Sequence, residues 1–163
     1  MVRLRKITEE NYRECFSLKV ADNQIGFVAS NLYSIAQAWV NYNTTYPFAI
    51  YSDNIMVGFI MMDYEEEKGK YWIVRLMVAE KFQRSGYGKA ALNLAIEYLK
   101  KEFSVKEIFL SFSPKNTVAK SLYENVGFIS TGEVEDGEIV MRLNVHEHEK
   151  INRGIIEKIE NKN

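Results

Sequence analysis

The sequence predicts one α/β domain with a central mixed, mostly antiparallel sheet flanked by helices. Its 163 residues, 47% of them hydrophobic and 13% aromatic, suit a single sizeable core. Short β-rich runs alternate along the chain with amphipathic helical patterns. A strand, a long helix and a strand follow one another over residues 72–113, which predicts a right-handed crossover between two parallel strands.

The first third of the chain predicts one strand and two helices. Residues 2–7 are typical of a short strand, and Thr8 is a suitable cap for a helix that runs to Leu18. The lone cysteine, Cys15, lies among apolar residues of that helix, so we expect a buried structural thiol. The second helix lies in SNLYSIAQAWVNY, where one apolar stripe contains Leu32, Ile35, Ala36 and Trp39.

The remaining elements follow from turns and apolar runs. PFAIY and IMVGFIMMDY are joined by the polar turn SDN and predict an antiparallel hairpin, and YWIVRLMVAE is a third such run. A long amphipathic helix, the strand KEIFLSFS and a helix ending at Gly127 come next. Two strands around EVEDGE complete the predicted order βααβββαβαββ.

The overall charge gives no support for binding to nucleic acid or to an anionic membrane, because the net charge is only −1. No early apolar run resembles a signal peptide, and no apolar stretch approaches the roughly 20 residues that cross a bilayer. We therefore expect a cytoplasmic protein whose partner is small or cationic.

Two glycines, Gly86 and Gly88, stand where a strand gives way to the long helix. A helix N-terminus offers unpaired N–H groups, and the lack of a Cβ lets an anion approach the backbone closely. A tight turn without a ligand fits the same two residues. Ala90 replaces the hydroxyl of a P-loop and Ala91 the third glycine of a dinucleotide fingerprint, so both of those motifs are weakened.

The stretch QRSGYG, residues 83–88, resembles the Q/R-x-x-G-x-G/A signature of the GCN5-related N-acetyltransferase (GNAT) family. The segment NTVAKSLYENVGF, residues 116–128, is similar to the family's N-x-x-A-x-x-L-Y-x-x-x-G-F segment. The element order also matches that fold over residues 2–145. The resemblance implies a GNAT domain over residues 1–145 with a splayed parallel strand pair, followed by a polar tail over residues 146–163.

The resemblance also implies acetyl-CoA as cosubstrate. Backbone N–H groups of about residues 84–89 would hold its pyrophosphate, the main chain of the splayed strand would hold the pantetheine and the acetyl carbonyl, and Tyr123 would be the general acid. A tyrosine at this helical spacing is equally ordinary as a core residue. The implied cofactor contacts are Leu76, Met77, Val78, Gln83, Arg84, Ser85, Gly86, Tyr87, Gly88, Lys89, Asn116 and Tyr123.

Three further segments, QIGFVASN, YPFAIY and YWIVRLMV, are similar to stretches of bacterial spermine/spermidine N-acetyltransferases. That likeness implies a polyamine acceptor, and acidic loops would attract one, although solvated loops carry carboxylates anyway. Asp22, Asp63 and Glu65 are the candidate acceptor contacts. Other acceptors, namely a peptide amine, a lysine or an antibiotic amine, stay open, as does a regulator that binds acetyl-CoA without turnover.

The general base, the metal content and the assembly depend on weaker signals. Asp63, Glu65 and Glu80 are possible bases, and the residues do not choose among them. His146 and His148 alone are too few for a metal site, so we expect no metal.

The tail carries isoleucines every fourth residue from 151 to 159, compatible with a docked helix or with disorder. Family members are often dimers, so a homodimer is expected.

Overall fold

The computed structural model describes residues 1–148. The strands in this range are β1 (Val2–Lys6), β2 (Thr45–Ser52), β3 (Ile55–Glu65), β4 (Lys70–Val78), β5 (Glu107–Phe112), β6 (Ile129–Glu135) and β7 (Glu138–Asn144). The helices are α1 (Tyr12–Ser17), α2 (Asn31–Val40), α3 (Tyr87–Phe103) and α4 (Thr117–Val126). The predicted order βααβββαβαββ is confirmed.

The strands of the described chain form one sheet in the order β1-β2-β3-β4-β5-β7-β6. Neighbouring strands are antiparallel except β4 and β5, which are parallel and are joined by α3. The predicted mixed, mostly antiparallel fold class is therefore confirmed, together with its one crossover pair.

Helices cover both faces of the sheet. On one face, α3 buries Leu92, Ile96 and Leu99 in a large core cluster with apolar residues of the central strands. On the other, Cys15 of α1 lies in a second cluster with Met61 and other apolar strand residues. Burial raises the pKa of the Cys15 thiol to about 12, so this cysteine is a packing residue, as predicted.

The first helix is shorter than predicted. It begins at Tyr12, whose N–H donates to the Thr8 carbonyl at 3.0 Å, so Thr8 precedes the helix in a turn instead of capping it with its hydroxyl. The Asn11 side chain accepts from the Thr8 N–H at 2.8 Å and donates to the Lys6 carbonyl at 3.0 Å. This local bonding holds residues 8–11 outside the helix and explains the difference.

The second helix presents a different face to the core than its apolar stripe predicts. It buries Asn31, Ser34 and Ala38, whereas Trp39 is 81% exposed and Leu32 57% exposed. Of the stripe, Ile35 packs against the second core cluster, but the fully buried positions of α2 carry small or polar side chains. The Asn31 amide also has an internal partner, since its Nδ2 donates to the Cys15 carbonyl at 2.8 Å.

The C-terminal part of the described chain remains packed through His148, which is buried, and the Val145 N–H donates to the Lys106 carbonyl at 3.0 Å. The predicted tail from residue 149 onward, with its isoleucine stripe, lies outside the described residues. Within residues 1–148, none of the helices has the length and apolar character needed to cross a membrane.

The sheet opens between β4 and β5. Their register contains one pair, Trp72 opposite Phe109. On the other side of β4, Met61 and Met62 lie opposite Arg75 and Ile73, so β4 carries an extra residue at Val74. Such a bulge bends a strand. The carboxyl-terminal halves of β4 and β5 therefore diverge, and this splay creates the space for a site.

Candidate active site

A cleft of about 710 Å³ occupies the opening between β4 and β5. Its walls come from the loop at residues 20–29, the second half of β4, the glycine turn and start of α3, the end of β5, and α4. Of the predicted cofactor contacts, all except Ser85 line this cleft. Residues that are far apart in sequence are thus brought to one concave surface, which is the usual form of a small-molecule site.

The glycine turn is built around a left-handed residue. Gly86 has φ +80° and is the N-cap of α3, and the first helical bond runs from the Ala90 N–H to the Gly86 carbonyl at 3.0 Å. The N–H groups of Tyr87, Gly88 and Lys89 precede that bond and point out of the helix end. A Cβ on Gly86 would meet no atom within 4 Å, so the space beside this turn is open.

The second glycine has a packing role. A Cβ on Gly88 would lie 3.3 Å from the Cδ2 atom of Leu122 on α4. The bare backbone therefore allows α3 and α4 to approach closely. The two glycines of the motif thus do different work: Gly86 permits the turn, and Gly88 permits the helix contact.

Side chains near the turn hold it against the rest of the cleft. The Gln83 amide donates to the Val78 carbonyl at 2.9 Å and to the Gln24 side-chain oxygen at 2.7 Å. It thus ties the turn to the end of β4 and to the loop at residues 20–29. Arg84 and Lys89 are exposed at this end and place two cationic groups around the unpaired N–H groups.

Successive residues of β4 direct their main-chain N–H and C=O groups alternately toward β3 and toward the cleft. The Ala79 N–H donates to the Val57 carbonyl at 2.9 Å, and Val78 lies opposite Gly58. In an antiparallel pair, every second residue of a strand is hydrogen-bonded to its neighbour. Because Ala79 is bonded to β3, Met77, two residues earlier, also directs its main-chain groups toward β3. Leu76 and Val78 direct theirs toward the cleft, where the Val78 carbonyl accepts from Gln83.

Tyr123 lies in the wall formed by α4. Asn116 caps this helix, since its side-chain oxygen accepts from the Ala119 N–H at 3.1 Å, and Gly127 closes it in the left-handed conformation. The Tyr123 ring makes an edge contact with Phe112 at 5.9 Å between ring centres. Burial of the phenol, with a smaller effect from the charge of Glu138, raises the pKa of Tyr123 to about 12.

One carboxylate in the cleft and its hydrogen-bond partner were not predicted from the sequence. Glu138, the first residue of β7, lines the cleft beside Ser111 of β5. The Ser111 hydroxyl donates to the Glu138 Oε2 atom at 2.5 Å. The two residues are 27 positions apart and meet only because β5 and β7 pair. The signal in the sequence was a carboxylate directly after the turn DG, at the start of an apolar strand.

The predicted acidic residues lie outside the cleft lining. Asp22 is exposed on a short helical turn within the loop at residues 20–29, and Asp63 accepts from the Thr45 hydroxyl at 2.8 Å. Glu65 accepts from the Trp72 indole at 2.9 Å and pairs with Lys68 at 3.0 Å. Partial burial opposes its ionisation, but these hydrogen bonds outweigh that effect and lower the pKa of Glu65.

Arg75 of β4 also lines the cleft. Its guanidinium donates to the Val74 carbonyl at 2.7 Å and to the Gln37 side chain at 3.2 Å, and its Nε atom is buried with no partner within residues 1–148. Among those residues, no group of three or more His, Cys, Asp or Glu side chains is placed to hold a metal ion.

Comparison with known proteins gives a consistent picture. Residues 3–128 match the family model described as Acetyltransferase (GNAT) family. The chain is 29% identical over 147 residues to a spermine/spermidine N(1)-acetyltransferase of Bacillus subtilis (strain 168), covering 86% of this chain and 96% of the relative.

Solved structures share the fold. A spermidine N-acetyltransferase from Vibrio cholerae, in complex with CoA and spermine, superposes with a TM-score of 0.73 at 17% identity over 90% of this chain and 97% of that one. The aminoglycoside acetyltransferase AAC(6')-Ib, in complex with coenzyme A, has a TM-score of 0.76 at 20% identity over 92% and 98% of the two chains.

Proposed function

The chain belongs to the acetyltransferase (GNAT) family, and on that premise we propose that it transfers the acetyl group of acetyl-CoA to a primary amine of a polyamine such as spermidine or spermine. The observation that carries the proposal is a single cleft that joins the glycine turn, the open edge of β4 and Tyr123. Direct attack of the amine on bound acetyl-CoA requires such continuity, because both substrates must meet in one complex.

The residues of the cleft fit acetyl-CoA. The unpaired N–H groups after Gly86, open space beside that residue, and the cations of Arg84 and Lys89 suit a diphosphate. The main-chain groups of Leu76 and the Val78 N–H, which are directed toward the cleft, suit the amide-bearing pantetheine arm. When bound, acetyl-CoA supplies a thioester whose carbonyl carbon is reactive toward a neutral amine.

The chain's own groups would assist at two atoms. A main-chain N–H on the open edge of β4, from Leu76 or Val78, would donate to the carbonyl oxygen as it gains charge. The Tyr123 phenol would donate its proton to the departing sulfur. The phenol is protonated throughout the neutral range, so it has a proton to give.

The polyamine part of the proposal is supported by the Bacillus subtilis relative, which carries that activity in its name. The physical argument is that one nitrogen enters the cleft while the remaining ammonium groups stay charged outside it. Exposed carboxylates such as Asp22, between the lining residues Ala21 and Asn23, would attract those groups.

A panel of amines tests the proposal. The protein is assayed for thiol release from acetyl-CoA with spermidine, spermine, a monoamine of similar length, a lysine peptide and an aminoglycoside. We expect kcat/KM for spermidine to exceed that for the monoamine, and the preference to shrink with salt as the Debye length falls from about 10 Å at 0.1 M to about 3 Å at 1 M.

Other results of the panel would redirect the assignment. Equal efficiency on spermidine and the monoamine, or a preference for the peptide or the aminoglycoside, would remove the polyamine and leave the acetyltransferase. Binding of acetyl-CoA without turnover on any amine would favour a regulator.

A homodimer and a cytoplasmic location remain predictions. The exposed apolar side chains of α2, including Leu32 and Trp39, are compatible with a second copy of the chain, since contacts between copies bury such surface. Light scattering at working concentration tests the dimer, and a mass equal to one chain would reject it.

A further inference from the structure

Among the charged residues that line the cleft, cations outnumber anions. Arg75, Arg84 and Lys89 are cationic, and Glu138 is the only carboxylate among the lining residues of the described chain. Arg84 and Lys89 belong to the glycine turn, whereas Glu138 lies at the side formed by β5, β7 and α4. An ammonium group that enters the cleft therefore meets one anionic partner there.

The Glu138 carboxylate is held in place. It accepts from the Ser111 hydroxyl at 2.5 Å, the short distance typical of a hydroxyl bonded to an ionised oxygen. β5 and β7 are paired on either side of this contact, with Ser111 opposite Val140 and Phe112 opposite Ile139. The other carboxylate oxygen, Oε1, has no hydrogen-bond partner among residues 1–148 and is available to a ligand.

Glu138 and the proposed general acid, Tyr123, line the same cleft. The Tyr123 ring contacts Phe112, which follows Ser111 on β5, with ring centres 5.9 Å apart. The charge of Glu138 also contributes, after burial, to the raised pKa of Tyr123. The two groups an amine acylation needs, one to take a proton and one to give one, lie at the same end of the cleft.

We infer that Glu138, positioned by Ser111, receives the ammonium group of the acceptor and takes one proton from its nitrogen. The inference rests on the proposed function and assigns the base that the sequence left open. Asp63 and Glu65 are less suitable, because their carboxylates already have partners outside the cleft lining.

The proton balance closes with the residues named. One proton passes from the ammonium to Glu138 and later to solvent. The neutral nitrogen forms a bond to the acetyl carbon, and the carbon–sulfur bond breaks. Sulfur takes the Tyr123 proton, and the phenolate regains one from the nitrogen as the amide forms. The net products are the acetylated amine, CoA thiol and one released proton.

The pH profile of Glu138→Gln separates this role from a structural one. An amine has a pKa of about 10, so only about one molecule in 10³ is neutral at pH 7. With Glu138 present, the abundant ammonium form is productive and kcat/KM for the amine stays flat through neutral pH. Without it, only the neutral amine reacts, so kcat/KM rises about tenfold per pH unit toward the pKa of the amine.

We therefore expect Glu138→Gln to lower kcat/KM for spermidine about 10²-fold at pH 7. Near pH 10, its kcat/KM should approach that of the unsubstituted protein. Ser111→Ala should give a smaller loss with the same convergence. Glu133→Gln, on the exposed part of β6, is the matched control and should follow the unsubstituted profile. CoA affinity measured by calorimetry should be unchanged in all three variants.

A constant loss at every pH, or no loss, in folded Glu138→Gln protein that binds CoA normally would overturn the inference. The proposed function can fail separately. If the unsubstituted protein acetylates no amine, the activity itself is refuted, whereas an active protein with a pH-independent Glu138→Gln defect refutes only the base.

Discussion

The two ends of the cleft are built in different ways. The turn end comes from consecutive residues, 83–89, and offers mainly backbone N–H groups and a left-handed glycine. The other end takes Ser111, Tyr123 and Glu138 from three separate elements and offers side chains. Backbone recognition of an anion is thus encoded locally in the sequence, while the proton-transfer groups are assembled by strand pairing.

Gly86→Val should give the largest effect and should act at the turn end alone. A β-branched side chain at φ +80° is strained, and its bulk would enter the open space beside the N–H groups. Losing two charge-assisted hydrogen bonds to phosphate would lower CoA affinity about 10³-fold. Calorimetric titration with CoA measures this.

Gly132→Val is the control, because Gly132 has φ +84° on β6 with open space around it and does not line the cleft. It carries the same backbone strain and should keep CoA affinity. Equal loss of affinity in both variants would attribute the effect to general destabilisation and remove the distinction between the two ends.

Tyr123→Phe should act at the other end. Loss of the phenolic proton should lower kcat about 10²-fold, the ordinary effect of losing a general acid, with CoA affinity unchanged. Tyr98→Phe, in the aromatic cluster outside the cleft, is the control and should keep kcat. Full turnover by folded Tyr123→Phe protein would return this tyrosine to a packing role.

The high pKa of Tyr123 predicts a difference in alkaline stability. Below its ordinary value of 10.0 the phenol is protonated in both folded and unfolded protein, so it contributes no pH dependence. Between 10.0 and about 12 the unfolded chain loses the proton first, so the free energy of unfolding falls as pH rises.

Tyr123→Phe should therefore lose less stability than the unsubstituted protein between pH 9 and pH 11, by about 1 kcal/mol. Urea unfolding at the two pH values measures this, and the other tyrosines cancel because both proteins contain them. An equal loss of unfolding free energy in the two proteins would mean that the Tyr123 phenol is solvated.

Asp22→Asn should give the smallest effect. An exposed carboxylate contributes at most about 1 kcal/mol to an ion pair, so KM for spermidine should rise by no more than about fivefold. KM for a monoamine and CoA affinity should stay the same. Glu9→Gln, exposed and outside the cleft lining, is the control. An equal rise in KM for spermidine and for the monoamine would mean that Asp22 does not contribute to polyamine recognition.

The fold was largely predictable because its signals are local. Turn residues, β-rich runs and the glycines at positions 86 and 127 predict the element order that the structure has. The same local signals predict the glycine turn at residues 83–89. Each depends on a few consecutive residues whose backbone preferences are strong.

The failures depend on contacts between distant residues. The apolar stripe of α2 predicts the packing of Ile35 but not the burial of Asn31, whose partner, the Cys15 carbonyl, belongs to another helix. Glu138 meets Ser111 only through the pairing of β5 with β7, which no local pattern encodes.

The distinction between the two ends of the cleft is tested most directly by a two-step NMR titration of backbone amides. CoA should shift the amide signals of residues 84–89, because their N–H groups would bond phosphate. Spermidine added to the CoA-bound protein should then shift those of Ser111 and Glu138. If CoA leaves residues 84–89 unmoved, or if both ligands shift the same set of amides, the two-ended account is contradicted.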